Sequence, residues 1–130
     1  MEYEEVRQFL ARFSFYLDAL DVDQWLALFV DDGTLEFVGG PQFVGQAQLR
    51  AFAESLRPTY ETTQMRHCIL NSIIEIDGDE ATSRSYLLVT SASPTPSNLV
   101  TGQCTDTLRR VDGAWRMTTR SFQSDLPLAV

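Results

Sequence analysis

Basic residues are scarce in this chain. It carries 10 against 18 acidic ones in 130 positions, a formal charge of -8. The arginines are scattered and none clusters at helical spacing. A nucleic-acid binder needs a basic stripe to neutralise phosphates, so that class of partner is disfavoured. Anionic membrane surfaces are disfavoured by the same balance. Apolar runs are short, and none reaches the roughly 18 residues that a membrane-spanning helix needs. The two cysteines, Cys68 and Cys104, form neither a CxxC pair nor a secreted-type framework, so two core thiols are expected. The single histidine, His67, leaves no zinc or iron ligand cluster. Walker, GxGxxG, HExxH and GxSxG motifs are all missing, and so are internal repeats and heptads. No cofactor and no metal are therefore expected. The acidic start Met1-Glu2-Tyr3-Glu4-Glu5 is unlike a signal peptide, and a cytoplasmic location is expected.

What the chain has is apolar content, at 44%, enough for the core of one domain over residues 1–130. Val6, Phe9, Leu10, Phe13, Leu17 and Leu20 recur at helical intervals and predict a helix over 4–19. Asp21 and Gln24 have capping-box spacing. They open a short second helix carrying Trp25, Leu26, Leu28 and Phe29. Asp31-Asp32-Gly33 predicts a turn into a strand over 34–38, which Gly39-Gly40-Pro41 breaks. A third helix over about 46–57 ends at Pro58. The period then changes. Strands are predicted over 65–76, 80–92, 99–111 and 114–124, with hairpin turns at Asp77-Gly78-Asp79 and Asp112-Gly113 and a loop over 93–98. Tight turns make these late strands antiparallel neighbours. Helices first and strands last give an α+β domain: one curved sheet with helices against it, and room for a pocket between them.

His67 lies in the alternating pattern of its strand. Its imidazole suits a proton carrier in a dry pocket, although a lone histidine in such a strand is more often a hydrogen-bonded core or edge residue. Asp21, at the corner between the first two helices, reads as an N-cap or as the carboxylate that orients His67 and fixes its tautomer. Asp18, one turn earlier, competes for that second role. Tyr16, Tyr86, Asn71, Cys104 and Asp106 are pocket candidates, and Tyr86 could donate to an oxygen that gains charge. Tyrosines in such patterns are more often core residues. Arg109, Arg110, Arg116 and Arg120 are expected to face solvent or pair with acids.

Several segments, in order, resemble the SnoaL-like branch of the nuclear transport factor 2 superfamily. They are Phe15-Tyr16-Leu17-Asp18-Ala19-Leu20-Asp21, the stretch from Trp25 to Gly33, Arg66-His67-Cys68-Ile69-Leu70-Asn71, Gly102 through Arg110, and Asp112-Gly113-Ala114-Trp115-Arg116-Met117 with Arg120. The resemblance implies a cone of α+β type: a curved, mostly antiparallel sheet wrapped around N-terminal helices and holding a deep apolar cavity. It implies a small apolar or aromatic ligand in that cavity and a homodimer, or else a homotrimer. Within the superfamily the chain is similar to scytalone dehydratase, bile-acid dehydratase and hexachlorocyclohexane dehydrochlorinase. In these an aspartate at the end of the first helix orients a sheet histidine that removes a proton. Those roles fall on Asp21 and His67; the pocket candidates Tyr16 and Tyr86 are expected to steady an enolate-like oxygen or assist the leaving group. The second sheet histidine of scytalone dehydratase has no counterpart; Ser85 or Tyr86 lies about there. The resemblance thus implies a cofactor-independent lyase or isomerase acting on a small cyclic, polyketide-like or steroid-like substrate. The chain is also similar to the small subunit of ring-hydroxylating dioxygenases, through Gln8-Phe9-Leu10, Asp23 to Leu28, Arg66 to Asn71 and the ending from Arg109 to Leu126. That similarity implies a non-catalytic ligand-binding or assembly domain.

Overall fold

The N-terminal apolar stripe forms helix α1, Glu2–Asp18, in the computed structural model, which describes residues 1–92 and 97–126. Two short helices, α2 (Val22–Leu26) and α4 (Arg57–Tyr60), accompany α3 (Gly45–Ser55). Pro58 falls in the first turn of α4, where its missing N–H costs nothing. Six strands follow the order β2-β1-β6-β5-β4-β3 in one open sheet. They are β1 (Phe29–Phe37), β2 (Gln42–Val44), β3 (Gln64–Asp77), β4 (Glu80–Ala92), β5 (Ser97–Val111) and β6 (Ala114–Ser124). All neighbours are antiparallel except β1 and β6. The predicted loop lies over 93–96, outside the described residues, and over Ser97-Asn98, which open β5.

The expected turn at Asp31-Asp32-Gly33 is instead part of β1. Phe29 leaves the predicted second helix and pairs in parallel with Met117, both buried in the core. Burial of that pair outweighs the local turn signal, and a register shift between Phe29 and Thr34 absorbs the extra residues. Gly33 is needed there, since a Cβ would lie 2.8 Å from the Phe29 ring.

The core sits between α1 and the inner face of the sheet. Phe13, Trp25 and Phe29 meet edge to face with centroids 5.0–5.5 Å apart, filling the centre of the cone. On β4 the inward residues are the odd-numbered ones, Ala81 through Ser91. On β3 a bulge between Leu70 and Ile73 changes the alternation. His67 and Ile69 are partly buried before it; Ile74 and Ile76 are partly buried after it, and Ile73 is exposed. Asn71, at φ 58, supplies the left-handed residue of the bulge. The two-residue alternation that puts His67 and Ile69 on one face ends there.

Candidate active site

Strand β3 is an edge of the sheet, and α1 packs along it. A groove of about 770 Å³ runs between them. Arg7, Ala11, Ser14 and Asp18 line it from the helix, at spacings that put them on one face. His67, Ile69 and Ser72 are among those lining it from the strand. Phe15, 75% exposed, stands at its mouth.

Asp18 is the last residue of α1 and only 7% exposed. Its Oδ1 lies 2.6 Å from His67 Nδ1. The His67 backbone N–H also donates to this carboxylate, at 3.2 and 3.3 Å. One carboxylate thus satisfies both an open sheet-edge donor and the imidazole. Gln64 Nε2 donates to the Asp18 backbone carbonyl at 3.0 Å, tying the helix end to β3. An ionised carboxylate only accepts, so Nδ1 carries a proton, and in the neutral imidazole Nε2 holds the lone pair. Nε2 makes no hydrogen bond among the described residues.

The partner of His67 is therefore Asp18 and not Asp21. Helix α1 ends in a Schellman turn: Asp21 N–H donates to the Tyr16 carbonyl and Leu20 N–H to that of Leu17, with Leu20 at φ 53. This reversal carries Asp21 onto α2. Its carboxylate there accepts from Gln24 Nε2 at 2.8 Å and caps no backbone N–H.

Tyr16 and Tyr86 do not line the groove. Tyr16 is about 200° around the helix from both Ser14 and Asp18, and it packs half-buried against the core. Tyr86 is even-numbered on β4, so it points to the outer face and is 55% exposed. Asn71 does line the groove. Cys104 and Asp106 are sealed in the interior. There Arg120, expected to face solvent or pair with an acid, is buried and makes a bidentate pair with Asp106 at 2.8 and 2.9 Å, its guanidinium over the Phe13 ring. Burial pushes the Cys104 thiol up to about 11; Arg120 opposes this and Asp106 adds to it.

Sequence reasoning missed Ser14, Arg7, Arg66 and Ser72 as groove residues. The helical ones were findable: Arg7, Ala11, Ser14 and Asp18 form a small and polar stripe beside the apolar one. Tyr60, on α4, does not line the groove. Its hydroxyl is buried without a partner among the described residues, and burial pushes it up to about 12; the Asp18 charge adds to this and Arg66 opposes it. No group of three or more His, Cys, Asp or Glu side chains converges to hold a metal ion among the described residues.

Residues 1–121 match the family model of the SnoaL-like domain. An NTF2-like protein with a cystatin-like fold from Novosphingobium aromaticivorans is similar at 25% identity and a TM-score of 0.88, covering 98% of this chain and 84% of that one. A protein of unknown function with a cystatin-like fold from Nostoc punctiforme is 31% identical, with a TM-score of 0.82 and coverage of 97% and 92%. ActVI-ORFA from Streptomyces coelicolor is 25% identical, with a TM-score of 0.84 and coverage of 95% and 96%. No curated protein matches. With a family match over nearly the whole chain and the same architecture in these structures, the protein belongs to the SnoaL-like domain family and has the NTF2-like, cystatin-like fold.

Proposed function

We propose that the protein is an acid–base enzyme, a lyase or isomerase, in which His67 removes a proton from carbon in a small, mostly apolar cyclic substrate. The observation that carries this is the Asp18–His67 contact of 2.6 Å beside a groove, with no hydrogen bond to Nε2 among the described residues. The Asp18 carboxylate orients the ring and stabilises the imidazolium that forms. Leu10, Ala11, Phe15 and Ile69 supply apolar wall for a ring system. Proton return to another carbon makes the protein an isomerase, and loss of a β-hydroxyl makes it a dehydratase. Family membership supports the reading by analogy only.

The test is proton–deuterium exchange into a bicyclic ketone such as 2-tetralone, followed by NMR. A positioned base contributes about 100- to 10000-fold, so His67→Ala is expected to lose that factor with the fold intact by circular dichroism. Equal rates for wild type and His67→Ala would end the proposal for this substrate class.

A homodimer through the outer sheet face is part of the same proposal. Leu70 and Tyr86 are register partners there, with Ile73 beside them, and all three are exposed apolar side chains.

A further inference from the structure

We infer that Ser14 is a further catalytic residue of this groove, its hydroxyl donating to the substrate oxygen that gains charge as His67 takes the adjacent carbon-bound proton. The inference rests on the acid–base reading above and narrows the substrate to a cyclic ketone or ester with a hydrogen on the α-carbon. Ser14 lines the groove and is 7% exposed, and its Oγ is buried with no hydrogen-bond partner among the described residues. A serine inside a helix ordinarily bonds the carbonyl one turn back; this one does not. Native proteins leave few buried polar groups unsatisfied, and those few call for an explanation. The groove's other serine, Ser72, is already held by Ser85 Oγ at 2.8 Å, and the Asp18 carboxylate is occupied by His67.

Placement supports the role. Ser14 and Asp18 are four residues apart on one face of α1, about 6 Å along its axis, and the His67 ring is clamped to Asp18. Ser14 and His67 therefore line the same groove, one from the helix and one from the strand. The Ser14 hydroxyl is fully buried as placed, and to meet the substrate oxygen it must turn to the groove about its one side-chain torsion.

The step balances within the groove. The Nε2 lone pair forms an N–H bond and the substrate C–H bond breaks. Its electron pair becomes a C=C bond, and the carbonyl π pair moves to oxygen. Ser14 O–H donates a hydrogen bond to that oxygen and keeps its proton. The imidazolium then returns its proton to carbon, or passes it to a departing β-hydroxyl, which leaves as water.

The experiment compares wild type, Ser14→Ala, Ser14→Thr and His67→Ala as full-length chains. It measures 2-tetralone exchange in deuterated water, together with binding of 2-naphthol, a planar enol analogue, and of naphthalene, which lacks the oxygen. Ser14→Ala is expected to lower exchange by about 100-fold. It is expected to weaken 2-naphthol by about 10-fold and to leave naphthalene binding and the melting temperature unchanged. Ser14→Thr, which keeps the hydroxyl, is expected to recover part of both losses. Exchange that depends on His67 but runs at the wild-type rate in Ser14→Ala would overturn this inference alone. So would equal weakening of 2-naphthol and naphthalene. Exchange insensitive to His67→Ala would overturn the function beneath it.

Discussion

At the scale of residues, one helical turn separates two aspartates that the chain presents alike. Asp18 holds both the backbone N–H and Nδ1 of His67, whereas Asp21 holds only an exposed glutamine. Asp18→Asn is therefore expected to reduce exchange by about 100-fold or more, in the range of a lost acid–base partner. Asp21→Asn is expected to stay within a factor of about two, because an exposed hydrogen bond contributes little. Parallel exchange rates on 2-tetralone check both. Cys104 offers a pH test. Its folded value of about 11 lies above the ordinary 9.0 because burial opposes the thiolate. The fold thus holds that proton more tightly than the unfolded chain does. The resulting stability is complete below about pH 9 and is lost as pH rises towards 11. Urea midpoints should fall across that window, and should fall less in Cys104→Ala. The Asp106–Arg120 pair is also testable. Asp106→Asn leaves a buried guanidinium without its countercharge and is expected to cost about 3–5 kcal/mol in urea unfolding.

At the scale of elements, strands β5 and β6 approach too closely for a side chain at Gly102. A Cβ there would run into the Gln123 carbonyl oxygen and come within 2.6 Å of the Phe122 ring. Gly102→Ala is expected to destabilise by about 1–3 kcal/mol, the usual cost of overpacking, read as a lowered melting temperature. The bulge of β3 matters for a different reason. It re-aims the strand after Leu70, so that His67 lines the groove while Ile73 turns outward. Asn71 bears the left-handed backbone, which asparagine tolerates and β-branched residues do not. Asn71→Gly should fold normally, while Asn71→Val should lose stability.

At the scale of the whole molecule, the proposed dimer rests on the outer sheet face. Leu70, Ile73 and Tyr86 project from it, 44–55% exposed. A two-fold pairing lets one apolar patch cover its own copy. Sedimentation at micromolar concentration is expected to give a dimer, and Ile73→Glu with Tyr86→Glu a monomer with the exchange rate retained. A wild-type monomer would remove the dimer.

The residue order by itself determined the class of fold. Helical periodicity in the first third, period-two patterns after Gln64, and Asp-Gly turns at 77–78 and 112–113 are local signals, and each maps onto its element because nothing at long range opposes it. The one histidine was likewise visible as the chemically distinctive residue of its strand. Three things were decided only in three dimensions. The parallel pairing of β1 with β6 turned a predicted turn into strand, because burying Phe29 beside Met117 outweighs a turn preference. The bulge at Asn71 moved Ile73 to the outer face, since one extra residue reverses a two-residue alternation. The Schellman turn at Leu20 rotated Asp21 away and left Asp18 on His67. Choosing between carboxylates three positions apart depends on where a helix ends and how the chain leaves it, and packing of α1 against the sheet edge sets both.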